Sequence, residues 1–175
     1  MKSKFFQYFT PSIIILIDLI SKKLVKSSFQ IGESKNILGS FLKFSFVENA
    51  GIAFGIFSDI AHTSILKNVV FTIITLSAVA FIIFLIRQGN RPLYRTSLYF
   101  ILGGALGNIL ERLFGNIIYY GKFELFYGRV VDFIDIGFGN YRWFFFNIAD
   151  SFITVGVILL IIYTFFFENK KKLKA

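Results

Sequence analysis

The stretch from Asn68 to Ile86, NVVFTIITLSAVAFIIFLI, decides the fold. It holds no charged residue and matches the roughly 20 apolar residues that a helix needs to cross a bilayer. The rest of the chain is of the same kind. Of its 175 residues 55% are hydrophobic and 17% charged, with 25 Phe, 8 Tyr and 1 Trp. That is too apolar for an ordinary soluble domain and too rich in Phe, Ile and Leu for disorder.

Working outward from this run, three more apolar segments are interrupted by only a few charges, giving expected spans over 5–25, 66–86, 94–114 and 144–167. The first begins like a signal peptide behind Lys2 and Lys4. Asp18 breaks its apolar run, however, and Lys22 and Lys23 arrive before any small-x-small cleavage site, so it reads as a retained helix. Gln88-Gly89-Asn90-Arg91-Pro92 is a tight polar turn that makes the second and third helices antiparallel neighbours. The two longer connections, 26–65 and 115–143, then fall on one side of the membrane. In Phe41-Leu42-Lys43-Phe44-Ser45-Phe46-Val47-Glu48, Lys43 and Ser45 alternate with Phe44 and Phe46 as in a half-buried strand, so a small sheet on the membrane face is expected. Tyr119, Tyr120, Phe123, Phe126, Tyr127 and Trp143 suit an interfacial aromatic belt. The expected fold is an all-α membrane protein: a four-transmembrane-helix bundle with a small extracytoplasmic β-containing subdomain, forming one integral membrane domain over residues 1–175.

The net charge of +9 would suggest nucleic acid in a soluble protein, but the basic residues cluster at the ends of apolar runs, where they anchor topology; no nucleic-acid partner is expected. Nine Lys and Arg lie in the short segments 1–4, 87–95 and 170–174, and ten on the other side are spread over the long loops and the span ends that border them, where charge counts for less. Both termini are therefore expected in the cytoplasm. Lys170, Lys171, Lys172 and Lys174 form a tail that fixes topology or touches anionic lipid. Without cysteine, disulfides, thiolate metal sites and a cysteine nucleophile are excluded. A single His62 argues against a histidine metal cluster or a Ser-His-Asp triad.

Acidic residues carry more information. Asp18, Glu111 and Asp150 sit inside or at the edge of apolar runs, where each costs about 2.5–3.5 kcal/mol to place at a helix centre. Asn147 and Asp150, three apart, share one helical face, and Val130-Val131-Asp132-Phe133-Ile134-Asp135 brings a second carboxylate to the same membrane surface. Two carboxylates in a low-dielectric pocket cannot both ionise easily, so one keeps its proton, as an aspartic protease requires. The ionised member takes a proton from water and the protonated one polarises the scissile carbonyl, with no metal or cofactor. The plainer reading is that Asp132 caps a turn or pairs with Arg129 and that Asp150 caps the fourth helix; intramembrane acids also line ion pathways.

Four blocks in the order of one family bear on this choice. They are Asp18-Leu19-Ile20-Ser21-Lys22; Asn49-Ala50-Gly51-Ile52-Ala53-Phe54-Gly55; Gly107-Asn108-Ile109-Leu110-Glu111-Arg112; and Val131-Asp132-Phe133 with Phe146-Asn147-Ile148-Ala149-Asp150-Ser151. With them the whole chain resembles the lipoprotein signal peptidase (signal peptidase II) family. The resemblance implies an intramembrane aspartic endopeptidase of the bacterial cytoplasmic (inner) membrane. Such an enzyme removes signal peptides from diacylglyceryl-modified prolipoproteins, cutting before the lipidated cysteine. It implies Asp132 and Asp150 as the catalytic pair, Asn49, Asn108, Arg112 and Asn147 as residues that support the site or orient the substrate, and Gly51 with Ala53 as a close-packed loop. Prolipoprotein and membrane lipid are then the expected partners, and a monomer the expected state.

Two departures stand out. Glu111 replaces the family's usual Asp, and the connection from Arg112 to Asp132 looks longer than usual by roughly a dozen residues. The extra segment, 116–127, is expected to form an interfacial flap. Asp135 competes with Asp132, being three residues on, a spacing that would share one face of a turn, although the family's Val-Asp-Phe context favours Asp132. Asp18 and Lys22, at i and i+4, read by geometry as a helix ion pair supporting the site. Arg112 is a site residue or a snorkelling anchor. Gly103, Gly104 and Gly107 give the spacing of close helix packing. The competing function is a small four-helix transporter or channel, for which an internal repeat would be expected and none is visible.

Overall fold

The computed structural model describes residues 2–50 and 65–168. Four helices, α1 (Lys2–Ser28), α2 (Ile65–Gln88), α3 (Pro92–Tyr120) and α4 (Ile148–Tyr163, continued by a π-helical turn, Thr164–Glu168), carry a four-stranded antiparallel sheet of β1 (Ser34–Leu38), β2 (Leu42–Asn49), β3 (Val130–Phe138) and β4 (Tyr141–Arg142), in the order β1-β2-β3-β4.

Helix α3 is the hub, packing against α1, α2 and α4. Its glycines permit this. A Cβ at Gly104 would come within 2.3 Å of the Ala149 carbonyl oxygen on α4, and one at Gly103 within 3.0 Å of the Pro11 backbone on α1. The small residues are thus packing devices, as their spacing suggested. The polar turn after α2 is present, with Pro92 opening α3 where its missing N–H costs nothing. Val79 and Ile82 of α2 pack on Leu98, Tyr99 and Leu102 of α3.

Burial in the helices is inverted relative to a soluble protein. Asp18, Lys22 and Glu111 are 0% exposed, whereas Leu16, Ile20, Leu24, Ile73, Ile74 and Phe81 lie at the surface. Charged residues are the rarest in soluble cores, and an aliphatic exterior around an ionic centre is the arrangement a lipid solvent favours. Among the described residues, two helices qualify as spans by length and composition, Val69–Gln88 with mean hydropathy 2.9 and Ile148–Phe167 with 2.1. α1 and α3 are longer than both, but carry the buried charges that lower their apolarity.

Three boundaries differ from expectation. α3 runs on to Tyr120 and stops at Gly121, whose φ of 65° supplies the left-handed cap, so the start of the 116–127 segment is helix rather than flap. α4 begins at Ile148, not near 144, because Phe146 is drawn into a bridge with Ile134. And 130–138 is a strand, not a turn. Its apolar positions face α1 and the sheet, with Val131 and Phe133 packed on Val25 and Phe46. The expected strand over 41–48 is β2, bulged between Phe44 and Val47. That irregularity sets Val47 opposite Asp132 and leaves Asn49 at the strand's end.

Candidate active site

The start of α4 gathers the polar side chains. Asn147 caps it: its Oδ1 accepts the Asp150 N–H at 2.9 Å and its own N–H donates to Asp150 Oδ2 at 3.2 Å, a reciprocal capping box. The Asn147 amide also turns toward β3, where Nδ2 donates to Asp132 Oδ1 at 2.7 Å. One buried asparagine therefore grips both aspartates. Asn49 donates to the other Asp132 oxygen at 2.8 Å, and Asn108 of α3 donates to Asp150 Oδ1 at 2.8 Å.

Behind this pair lies a charged cluster. The Lys22 ammonium sits 2.7 Å from Asp18 and 2.9 Å from Glu111, so the expected i,i+4 ion pair exists and has a third member. Lys22 also donates to Asn108 Oδ1 at 2.9 Å. With its oxygen occupied in this way, Asn108 must present its NH₂ to Asp150; the ammonium fixes which way the amide points. Asp18 accepts the Ala149 N–H at 2.9 Å, satisfying a free donor in the first turn of α4. Even Gly107 belongs here, since a Cβ would lie 3.0 Å from Asp18 Oδ2.

Asp132 is 3% exposed. Burial, followed by the charge of Asp150, pushes its carboxyl up to about 7, and the amides of Asn49 and Asn147 only partly offset this. A carboxyl in that state gives or takes a proton near neutrality. Beside Asp150 a cleft of about 590 Å³ runs between the β3–β4 hairpin and α4, walled by Ile136, Phe138, Tyr141, Trp143 and Phe146. Its apolar walls and single acidic end suit an extended apolar peptide. Among the described residues no three His, Cys, Asp or Glu side chains are grouped as a metal-binding set.

The description of the signal peptidase (SPase) II family matches residues 11–166. The chain belongs to this family. It is 37% identical over 163 residues to the lipoprotein signal peptidase of Borrelia hermsii, covering 90% of this chain and 88% of that protein. It is 36% identical over 148 residues to that of Moorella thermoacetica, covering 85% of each. The lipoprotein signal peptidase of Burkholderia cenocepacia is 39% identical over 150 residues, covering 85% of this chain and 81% of that one. Two solved bacterial membrane enzymes superpose with TM-scores of 0.74 and 0.70 at 27% identity, covering 91% and 89% of this chain and 87% and 90% of theirs. The chain is thus a protease of the signal peptidase II family, and the transporter or channel reading has no support.

Set on this signal peptidase II framework, the residues singled out in the sequence divide. Asn49, Asn108, Asn147, Asp132 and Asp150 form one hydrogen-bonded chain, with Asp18 and Lys22 joined to it through Asn108. Arg112 stands at the edge, donating to the Gly128 carbonyl at 3.2 Å with its guanidinium over the Phe71 ring. Gly51, Ala53 and His62 lie outside the described residues. Asp135 is not a rival on the same face: three positions along a strand reverse the direction, and Arg142 takes it at 2.8 Å. Nor does Arg129 pair with Asp132. It pairs with Glu48 at 2.8 Å. Glu48 was missed in the sequence, although its place beside Asn49 in an alternating strand marks it as inward or outward only once the register is known. Tyr119 was read only as a belt aromatic; its spacing of eight from Glu111, close to two helical turns, was the overlooked signal.

Proposed function

We propose that this signal peptidase II performs aspartic-type proteolysis with Asp132 and Asp150 as catalytic residues. Its substrates are diacylglyceryl-modified prolipoproteins, cut on the amino side of the lipidated cysteine. The observation that carries the reading is Asn147, which bonds both carboxylates at once, in a site where amide donors from Asn49 and Asn108 also hold them. Amides carry no charge to offset that of a carboxylate, so the pair favours keeping one member neutral.

Asp132, whose burial raises its affinity for a proton, is the acid; Asp150 is the base. Asp150 takes a proton from water as its oxygen adds to the scissile carbonyl carbon, while Asp132 gives its proton to the carbonyl oxygen. The tetrahedral diol collapses, a proton passes to the leaving nitrogen, and the C–N bond breaks. The signal peptide leaves as a carboxylate and the lipidated cysteine keeps a free α-amino group. Asn49 and Asn147 hold Asp132, and Asn108 and the capping box hold Asp150, so the acids need little reorganisation during the reaction.

The aliphatic exterior of α1 and the length of α3, which packs against the other three helices, support counting all four helices as spans of a single domain, with the sheet and the site at the outer surface of the bacterial inner membrane and both termini in the cytoplasm. This places the scissile bond where a lipid-anchored peptide meets water. The enzyme is proposed to act as a monomer. Cleavage of a diacylglyceryl-modified prolipoprotein by purified wild type, Asp132→Asn and Asp150→Asn tests the assignment. Neither variant should cut; if both fold and cut at the wild-type rate, the dyad is wrong.

A further inference from the structure

The end of α3 and the loop that follows it, 116–127, bond back to the protein through two tyrosine hydroxyls, each to a different glutamate. Tyr119 donates to Glu111 Oε1 at 2.6 Å. The same oxygen accepts the backbone N–H of Val131 at 3.0 Å, and Glu111 Oε2 holds Lys22 at 2.9 Å. Tyr127 donates to Glu48, which also binds Lys26 and, at 2.8 Å, Arg129. Glu48 stands opposite Val131 in the sheet register. The rings of the two tyrosines touch, 5.9 Å between centroids, and both face the Lys26 ammonium at 5.0 and 5.3 Å. Val131, the residue before Asp132, is therefore fixed through its N–H by Glu111 and faced across the sheet by Glu48, with the tyrosines closing the arrangement from outside.

We infer that Tyr119 is a positioning residue for the proposed catalytic Asp132, acting through Glu111 on the Val131 N–H. The chemistry depends on the glutamate's length. Glu111 must reach three partners at once, Lys22, Tyr119 and the β3 backbone, and its extra methylene relative to aspartate extends that reach. Tyr119 holds the shared oxygen in place by a hydrogen bond to a carboxylate, one of the stronger kinds. A small displacement of β3 moves the Asp132 carboxyl away from the Asn147 amide, and angstrom-scale misplacement of a reacting group lowers the chemical step rather than substrate binding.

The inference rests on the aspartic dyad, so its test includes Asp132→Asn as a reference. Tyr119→Phe, Glu111→Asp and the double variant are compared in cleavage of a diacylglyceryl-modified prolipoprotein, with kcat, KM and thermal unfolding recorded for each. Tyr119→Phe is expected to lower kcat about tenfold while KM stays within about twofold. Glu111→Asp, which keeps the charge for Lys22, is expected to lower kcat similarly. In the double variant the two losses should overlap rather than multiply, because both break the same link. Wild-type kcat in Tyr119→Phe, multiplicative losses in the double variant, or a loss confined to unfolding temperature would each overturn the inference. Should Tyr119→Phe fail to fold, Glu111→Asp decides alone: unchanged kcat refutes the link. An inactive Asp132→Asn beside an unaffected Tyr119→Phe would refute the positioning role only, whereas an active Asp132→Asn would refute the dyad itself.

Discussion

Two pairs of carboxylates lie within one asparagine of each other and are treated in opposite ways. Asp18 and Glu111 share the Lys22 ammonium at 2.7 and 2.9 Å. Asp132 and Asp150 are held by the amides of Asn49, Asn108 and Asn147. An ammonium bonded to two carboxylates compensates their charge and ties them into one ion cluster. An amide orients a carboxylate without neutralising it, and on the proposed mechanism the two acids held this way share one proton. Asn108 joins the groups, accepting from Lys22 and donating to Asp150. The difference teaches that an acid in an apolar run is not a functional signal until its partners are known.

The comparison breaks most visibly on the amide-held side. Replacing Asp132 or Asp150 by Asn should lower cleavage by at least about 10³-fold, near the upper range for loss of a positioned acid or base. The fold should survive. Because folding raises the Asp132 proton affinity, stability contributed by that group is present below the unfolded carboxyl value and is lost as pH rises toward about 7. Asp132→Asn removes that loss, and its unfolding temperature at pH 7.5 should equal or exceed that of wild type, as calorimetry in detergent would show.

On the ammonium side the outcome reverses. Lys22→Met leaves Asp18 and Glu111 buried without a cation, and a destabilisation of about 3–5 kcal/mol is expected, measurable as a lowered unfolding temperature and reduced membrane accumulation. Asn147→Ala falls between the two. It loses the capping box, worth about 0.5–2 kcal/mol, together with the bond to Asp132, so stability and kcat should drop together. Asp135→Asn should matter least: Arg142 keeps its bond to the Asp135 carbonyl, and cleavage is expected within about twofold of wild type.

The legible parts of the sequence were those governed by periodicity and composition. The four helices, the tight turn before Pro92, the strand around Phe44 and the packing role of Gly104 all follow from patterns a few residues long. The resemblance to signal peptidase II supplied the choice of Asp132 over Asp135, and the strand geometry explains that choice physically. Less legible was whatever depends on register or on distant chain. Strand β3 escaped recognition because it is buried on both faces and reads as an apolar run without alternation. The start of α4 was misplaced by four residues because Phe144, Phe145 and Phe146 continue its apolar character, while the bridge to Ile134 pulls them out of the helix. Lys22 was legible as the partner of Asp18 at i+4, but its second acid comes from another helix, far along the chain.

The central claim is that the active pair carries a single proton, and the pH dependence of kcat tests it most directly. Over about pH 4 to 9 the account predicts a bell: activity falls on the alkaline side as Asp132 loses its proton, with that limb near 7, and on the acid side once the pair as a whole takes up a second proton. A flat profile across this range, in enzyme shown to remain folded throughout, would contradict it.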